Sequence, residues 1–193
     1  GESSGDLSGS SLSLSTDGSV LAISSKNNDN TNGVSSGSVR VYRNVDGFWN
    51  QIGEGINGQS SNDKSGNSIC LSEDGTFLAV GAENNDNNTG HVLVYKNEND
   101  SWQQFGNELK GKNVDDNFGA SVSITKFKSG GIGGTENLYI AVGSSNGYIQ
   151  IYTKDLFSSP QFEQIGQDLE GNIVSFSKNG FSIVVGNTIP KKV

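Results

Sequence analysis

The sequence predicts an all-β fold built from repeated four-stranded antiparallel units, and three observations support this prediction. Apolar residues come in short bursts rich in Val, Ile, Leu, Tyr and Phe, separated by clusters of Gly, Asn, Asp and Ser, a pattern typical of short strands and turns. No stretch of 11 or more residues carries a helical apolar stripe free of Gly, so essentially no helix is expected. Finally, the chain repeats its own sequence, which is typical of solenoid and propeller architectures.

The repeat is clearest in two segments that lie 57 residues apart (70 − 13). Residues 13–23 read SLSTDGSVLAI, and residues 70–80 read CLSEDGTFLAV. The pattern Gly-x-Val-x-Val-Tyr at residues 37–42 returns at 90–95, and as Gly-x-Ile-x-Ile-Tyr at 147–152. We therefore divide the chain into the repeats 1–57, 58–110 and 111–170, with a partial fourth repeat at 171–193.

Four strands are predicted in each repeat. In the first repeat they lie near residues 10–15, 20–24, 38–43 and 48–53. Two-residue type I′ turns are expected between the first and second strands, since Asp-Gly and Asn-Gly supply the positive φ angles of that turn. These turns are Asp17-Gly18, Asp74-Gly75 and Asn179-Gly180. The third and fourth strands are expected to join at Asp46-Gly47 in the first repeat and at 98–101 in the second.

The loop between the second and third strands varies most from one repeat to the next. It is long and Asn-rich at residues 26–36 and 83–89, and in the third repeat it shrinks to Ser145-Asn146. The third repeat instead expands its first hairpin over residues 126–137, where glycines at 130, 131, 133 and 134 predict flexibility.

Four antiparallel strands per repeat of about 40–60 residues are typical of β-propeller blades. One such sheet cannot bury both of its faces alone, so blades must stack, and the recurrent Trp49, Trp102 and Phe162 are expected to fill the wedge between neighbours. Propellers usually have 4–8 blades. About three and a half repeats therefore predict a fragment of a larger propeller. A β-solenoid is the main alternative, but its coils are shorter and lack these hairpins.

Several motifs resemble one propeller family. Phe118-Gly119 is followed by a strand and then by AVGS at 141–144, and Ser65-Gly66 is followed by AVGA at 79–82. With the third-strand pattern Gly-x-Val-x-Val-Tyr, these motifs resemble the FG-GAP repeat of integrin-α-type propellers. The resemblance implies an extracellular protein that binds proteins or glycans, often with calcium in the loop between the first two strands of a blade.

That loop departs from the family pattern. It is a tight turn in the first, second and fourth repeats, and in the third repeat Glu136 is its only acidic residue. Calcium takes 6–8 oxygen ligands, so none is expected at the usual place and no cofactor is predicted. Asp115, Asp116 and Asn117 remain candidate calcium ligands, with the alternative that Asn and Asp simply favour turns there.

Charge and length exclude two classes of partner. The net charge is 13 − 21 = −8, which argues against binding the phosphates of nucleic acid. Apolar runs reach only four or five residues, far short of the roughly 20 needed to span a membrane. The chain lacks Met and begins at Gly1, from which we expect a piece of a longer protein.

No catalytic constellation is visible, and the chain is predicted not to be an enzyme. Glycosidases need two carboxylates on either side of a sugar, whereas Asp115 and Asp116 are adjacent in sequence. His91 is the only His, and it is expected to be a structural residue at the edge of a strand. Cys70 lies in a strand at the position of Ser13 and Ser123, where no base to activate it is indicated.

These observations favour a non-catalytic extracellular or surface scaffold that binds a protein or glycan through its loops, for adhesion or assembly. One alternative is a structural subunit of a virion, filament or surface layer that self-assembles. Another is a carbohydrate-active propeller whose catalytic residues lie outside this segment. Asn87 and Asn99 begin N-glycosylation sequons, which fits a glycoprotein at the cell or virion surface.

Overall fold

A computed structural model describes residues 1–128, 134–177 and 182–188. In these ranges the chain forms sixteen strands in four antiparallel sheets that follow one another along the sequence. The predicted all-β fold of four-stranded blades is therefore confirmed, with a partial fourth blade. Within the same ranges no helix has the length and apolar content needed to cross a bilayer.

Blades 1 and 2 share one plan, in which the outermost strand is divided into two short pieces. Blade 1 contains β1 (Ser8–Leu14), β2 (Val20–Ser25), β3 (Ser38–Val45), β4 (Phe48–Gln51) and β5 (Ile56–Asn57). Blade 2 contains β6 (Ser68–Leu71), β7 (Phe77–Ala82), β8 (His91–Glu98), β9 (Ser101–Gln104) and β10 (Leu109–Lys110). Both pieces pair with the third strand. Gly53 and Gly106 lie between the pieces with φ of 73° and 82°, a conformation that interrupts a strand.

Blade 3 keeps its outer strand whole, and the described part of blade 4 is a hairpin. Blade 3 contains β11 (Phe118–Lys128), β12 (Glu136–Ser144), β13 (Tyr148–Asp155) and β14 (Glu163–Glu170). Blade 4 contains β15 (Ile173–Phe176) and β16 (Ile183–Gly186). The glycines at 130, 131 and 133 and the Asn179-Gly180 turn lie outside the described residues.

The prediction of type I′ turns at Asp17-Gly18 and Asp74-Gly75 is wrong. The amide of Ser15 donates to the carbonyl oxygen of Val20 at 2.9 Å, so the loop has four residues. Only Gly18 has a positive φ (73°), whereas type I′ needs two such residues. The reason is local, because the Asp17 carboxylate accepts hydrogen bonds from the hydroxyls of Ser15 (2.6 Å) and Ser19 (2.8 Å). Asp74 makes the same contacts in blade 2.

Two positive φ angles instead occur in the hairpins between the third and fourth strands. Asp46 and Gly47 have φ of 53° and 87°, and Asn99 and Asp100 have φ of 52° and 62°. Each pair forms a two-residue loop between paired residues, Val45 with Phe48 and Glu98 with Ser101. One helical turn, Asn85–Asn88, lies in the Asn-rich loop of blade 2, and its backbone is left-handed at Asp86 and Asn87.

The first strands β1, β6 and β11 carry apolar and hydroxyl side chains in alternation, and the two sets face opposite neighbours. Ile69 and Leu71 of β6 are buried in a cluster with Val20, Val39 and Val41 of blade 1. Val122 and Ile124 of β11 are buried in a cluster with Phe77, Val92 and Val94 of blade 2. The core therefore lies between blades, with apolar residues of β6 and β11 packed on the preceding blade, whereas Leu12 and Leu14 of β1 are exposed.

Serine hydroxyls on these strands bond the following blade. The Oγ of Ser13 accepts a hydrogen bond from the amide of Leu71 at 2.8 Å. The Oγ of Ser123 accepts one from the amide of Phe176 at 2.9 Å. Each hydroxyl satisfies an amide of the next first strand, so the blades are joined by hydrogen bonds as well as by apolar burial.

The antiparallel order gives the stack two different ends. Each first strand starts where each second strand finishes, so the connections between blades and the loops after the second strands lie together. We call this the loop end. The turns after the first strands lie opposite, at the hairpin end.

Candidate functional site

A buried aspartate stands at the entry to each complete blade. Asp6, Asp63 and Asp116 occupy equivalent positions and are 4%, 3% and 0% exposed. The residues on either side of each have positive φ. This backbone turns the carboxylate inward, where Asp6 and Asp63 also accept hydrogen bonds from nearby amides.

Asp116 has the fullest set of partners. Its Oδ2 accepts hydrogen bonds from the amides of Lys112 (3.0 Å) and Asn113 (2.8 Å) and from the Tyr148 hydroxyl (2.7 Å). Its Oδ1 accepts one from the Asn146 amide group at 3.1 Å. Burial alone would raise the pKa of Asp116, but these hydrogen bonds outweigh it and lower that pKa. Burial and the bond to Asp116 raise the pKa of Tyr148.

The three candidate calcium ligands engage different partners. Asp115 accepts a hydrogen bond from Asn88 at 3.0 Å, and Asn117 donates one to the carbonyl oxygen of Glu83 at 3.2 Å. Asp116 is held by its four donors. A calcium ion bound by all three would have to displace these contacts, so the arrangement does not fit one. In the described ranges, no three His, Cys, Asp or Glu side chains are grouped so as to hold a metal ion.

A polar cavity of about 610 Å³ opens at the loop end between residues 60–63, 84–88 and 114–115. Asp86 forms an ion pair with Lys110 at 2.5 Å. Asn87, the first sequon residue, is exposed in this cavity, and Asn99 is exposed in the turn between β8 and β9. Both positions are accessible, and their glycosylation stays a prediction.

A second cavity, of about 180 Å³, lies at the hairpin end and is built by all four blades. Its walls alternate hydroxyl and apolar side chains. They come from Ser13, Leu14 and Thr16 of blade 1, Cys70, Leu71 and Glu73 of blade 2, Ser123, Ile124 and Thr125 of blade 3, and Ser175, Phe176 and Ser177 of blade 4. We call it the channel cavity.

Two polar atoms of this lining are buried without a hydrogen-bond partner among the described residues. They are Oε1 of Glu73 and Oγ1 of Thr125. Sequence analysis missed both residues, because nothing local marks them. The available signal was the alternation of Ser with apolar residues along the first strands, which places hydroxyls from successive blades side by side.

Cys70 lies inside the channel cavity between equivalent serines. The amide of Ile124 and the hydroxyls of Ser123 and Ser13 surround its sulfur, but burial has the larger effect and raises the pKa of the thiol. A thiol held in its protonated form is a poor nucleophile, so the position favours a packing role.

His91 is also buried, and its Nδ1 lies 2.5 Å from Oε1 of Glu108.

The three recurrent aromatic residues have different surroundings. Phe162 packs against Gly106 of the preceding blade and forms an edge-on contact with Phe105, with ring centroids 6.4 Å apart. Trp102 lies against Gly53 in the same way. Trp49 is 43% exposed, and its outer strand belongs to the first blade.

Comparison with known proteins supports the fold more than the family. No protein-family model and no curated protein matches the chain. Among solved structures, it is similar to the periplasmic gluconolactonase PpgL of Pseudomonas aeruginosa, with a TM-score of 0.50 and 18% sequence identity. The similarity covers 92% of this chain and 50% of that one, so the chain spans about half the length of the matched structure. The propeller-like fold is supported, while the FG-GAP family is not.

This similarity overturns two sequence-based predictions. The chain was expected to be a non-catalytic scaffold and not an enzyme, because no catalytic constellation is visible in its sequence. The solved structure that it resembles over most of its length is an enzyme. Neither prediction is retained, because the absence of a catalytic constellation in this segment does not separate a scaffold from part of an enzyme with the same fold.

Proposed function

We propose that the chain is part of a carbohydrate-active propeller whose catalytic residues lie outside this segment. The observation that carries the proposal is the fold-level similarity to a gluconolactonase over 92% of the chain. The channel cavity supports it, because a wall of hydroxyls and one carboxylate suits a polyhydroxy ligand better than an apolar one.

The carboxylates examined by sequence are poorly placed for acid or base catalysis. Asp116 is fully buried and accepts hydrogen bonds from four donors, so a substrate could not reach it without breaking them. Asp115 is exposed and bonds Asn88, and Asp86, the other exposed carboxylate of the same cavity, is paired with Lys110. We therefore assign to these blades the binding and positioning of substrate.

A turnover assay of the intact protein tests the proposal. Glucono-1,5-lactone and a panel of neutral oligosaccharides are supplied, and ring opening is followed by proton release and glycosidic cleavage by reducing ends. We expect turnover of at least one of them above the spontaneous rate. A rate equal to the uncatalysed rate for every compound would refute the proposal.

The location and the metal requirement are part of the same proposal. The matched enzyme is described as periplasmic, and an exported location for this chain agrees with it and with the sequons. Calcium remains a candidate cofactor of the intact protein, which chelation by EDTA during the turnover assay would test. Loss of turnover that added calcium restores would support it, and unchanged turnover would exclude it.

A further inference from the structure

The channel cavity has the properties of a ligand site. We propose that it binds one neutral polyhydroxy molecule, of monosaccharide or sugar-lactone size, through Glu73 and Thr125. This inference rests on the proposed carbohydrate activity and adds to it the location and the chemistry of a binding site.

Two polar atoms at the channel cavity have no hydrogen-bond partner among the described residues. Thr125 is only 1% exposed, yet no described residue bonds its Oγ1. Oε1 of the half-buried Glu73 also has no hydrogen-bond partner among the described residues. Buried polar atoms in folded proteins nearly always have partners, and leaving one unpaired is costly. Three further atoms of this kind, in Ser36, Trp102 and Thr153, are scattered over other parts of the described residues, whereas Glu73 and Thr125 line one cavity, which points to an occupant that bonds both.

The occupant must carry a hydrogen-bond donor for Glu73 and a group that pairs with the Thr125 hydroxyl. A carboxylate oxygen can only accept, so Glu73 requires a donor. The Thr125 hydroxyl can donate and accept. A ligand with several hydroxyl groups meets both requirements at once.

The lining of the channel cavity suits a polyol better than a cation. Calcium prefers six to eight oxygen ligands and usually several carboxylates. Of the described residues that line the cavity, Glu73 alone is charged. Leu71, Ile124 and Phe176 supply apolar surface between the hydroxyls, which suits the C–H face of a sugar ring and offers nothing to a metal ion.

The channel cavity is small and its walls are held in place. Its volume of about 180 Å³ is about that of six water molecules, which is enough for one small sugar. The turn that carries Glu73 is held in place, since the carbonyl oxygen of Glu73 accepts a hydrogen bond from the amide of Thr16 at 2.9 Å. The next residue, Asp74, forms an ion pair with Lys126 of blade 3 at 2.7 Å. A site held in this way loses little freedom on binding.

Titration of the intact protein with D-glucose, followed by amide chemical shifts, tests the inference. We expect shifts centred on Glu73 and Thr125, and weaker binding by about tenfold in Glu73→Gln, because a hydrogen bond to a charged acceptor is lost. Thr125→Val, which keeps the shape of the side chain, should weaken binding by severalfold. Glu98→Gln is the matched control, because it removes an exposed carboxylate of blade 2 that does not line the cavity, and it should leave the affinity unchanged.

Three results would overturn the inference: unchanged affinity in both cavity variants, glucose shifts confined to the loop end, or shifts at Glu73 caused by calcium chloride but not by glucose. A melting temperature for each variant separates lost binding from lost folding, and Glu73→Asp, which keeps the charge, should retain more affinity than Glu73→Gln.

The turnover assay distinguishes failure of this inference from failure of the proposed function. Turnover with a KM unaffected by Glu73→Gln would refute the site and leave the function standing. Glucose binding at Glu73 without turnover of any compound would refute the function and leave the site standing.

Discussion

Replacing Asp116 with Asn is expected to destabilise the protein by about 2–4 kcal/mol. Oδ2 of Asp116 accepts hydrogen bonds from the amides of Lys112 (3.0 Å) and Asn113 (2.8 Å) and from the Tyr148 hydroxyl (2.7 Å). Its Oδ1 accepts a fourth, from the side-chain amide of Asn146 at 3.1 Å. An amide keeps one acceptor but loses the charge. The stabilising free energy of each of the three bonds to Oδ2 then falls from that of a charge-assisted bond to that of a neutral one, a loss of about 1 kcal/mol for each bond. The fourth donor, from Asn146, faces the new NH₂ group.

The loss is measured by urea unfolding at pH 7, with Asp115→Asn as the control. Asp115 is the exposed neighbour of Asp116 and makes one side-chain bond, to Asn88. Its φ is 65°, which Asn tolerates as well as Asp does. The control should therefore change the free energy of unfolding by less than about 0.5 kcal/mol.

The same pair of variants gives a pH dependence with a definite sign. The pKa of Asp116 is lower in the folded protein than the reference value of 3.8, so the folded state favours the ionised carboxylate. Its stabilising contribution is complete above about pH 5 and is lost as the pH falls below 3.8 and through the folded pKa. The difference in stability between the wild type and Asp116→Asn should therefore shrink from pH 7 to pH 3. A difference that stays constant with pH, or an equal loss in Asp115→Asn, would refute this account.

Three further predictions concern packing and the blade interfaces. Gly119→Ala should lower the free energy of unfolding in urea by at least about 2 kcal/mol more than Gly47→Ala does. Both glycines have positive φ, but only at Gly119 would the new Cβ meet a backbone oxygen, that of His91, at 2.6 Å. Equal losses of stability in the two variants would contradict this prediction. Ser123→Ala should cost about 1–3 kcal/mol by leaving the amide of Phe176 without its acceptor, and no loss would show that water replaces the hydroxyl. The Cys70 thiol should react with a thiol reagent at pH 8 much more slowly than free cysteine, because burial raises its pKa, and rapid labelling of the folded protein would contradict this.

The blades could be predicted from the sequence because the signals for their strands and turns are local. The alternation in residues 38–43, the burst at 20–24 and the two-residue loop at Asp46-Gly47 are properties of neighbouring residues, and they appear in the structure as β3, β2 and a hairpin. The turn at Asp17-Gly18 was predicted wrongly by the same method. There, hydroxyls at Ser15 and Ser19 hold the aspartate in a longer turn, a contact that the Asp-Gly rule does not include.

The candidate site could not be predicted in the same way. Asp115 and Asp116 are neighbours with the same side chain, yet one is exposed and the other is fully buried, because the positive φ on both sides of Asp116 turns it toward Tyr148, 32 residues later in the chain. Composition does not show which of two adjacent carboxylates turns inward.

The sequence by itself determined the repeat, the strand pattern and the turn-rich loops, because strand periodicity and turn chemistry act over a few residues. Only the tertiary structure decided that Glu73 and Thr125 share a cavity, since they lie on different blades. They share it because the Ser68 hydroxyl donates to the carbonyl oxygen of Gly119 and Lys126 pairs with Asp74, contacts that hold the first strands of blades 2 and 3 side by side. Such contacts between distant parts of the chain exist only once the blades have stacked, so no local pattern records them.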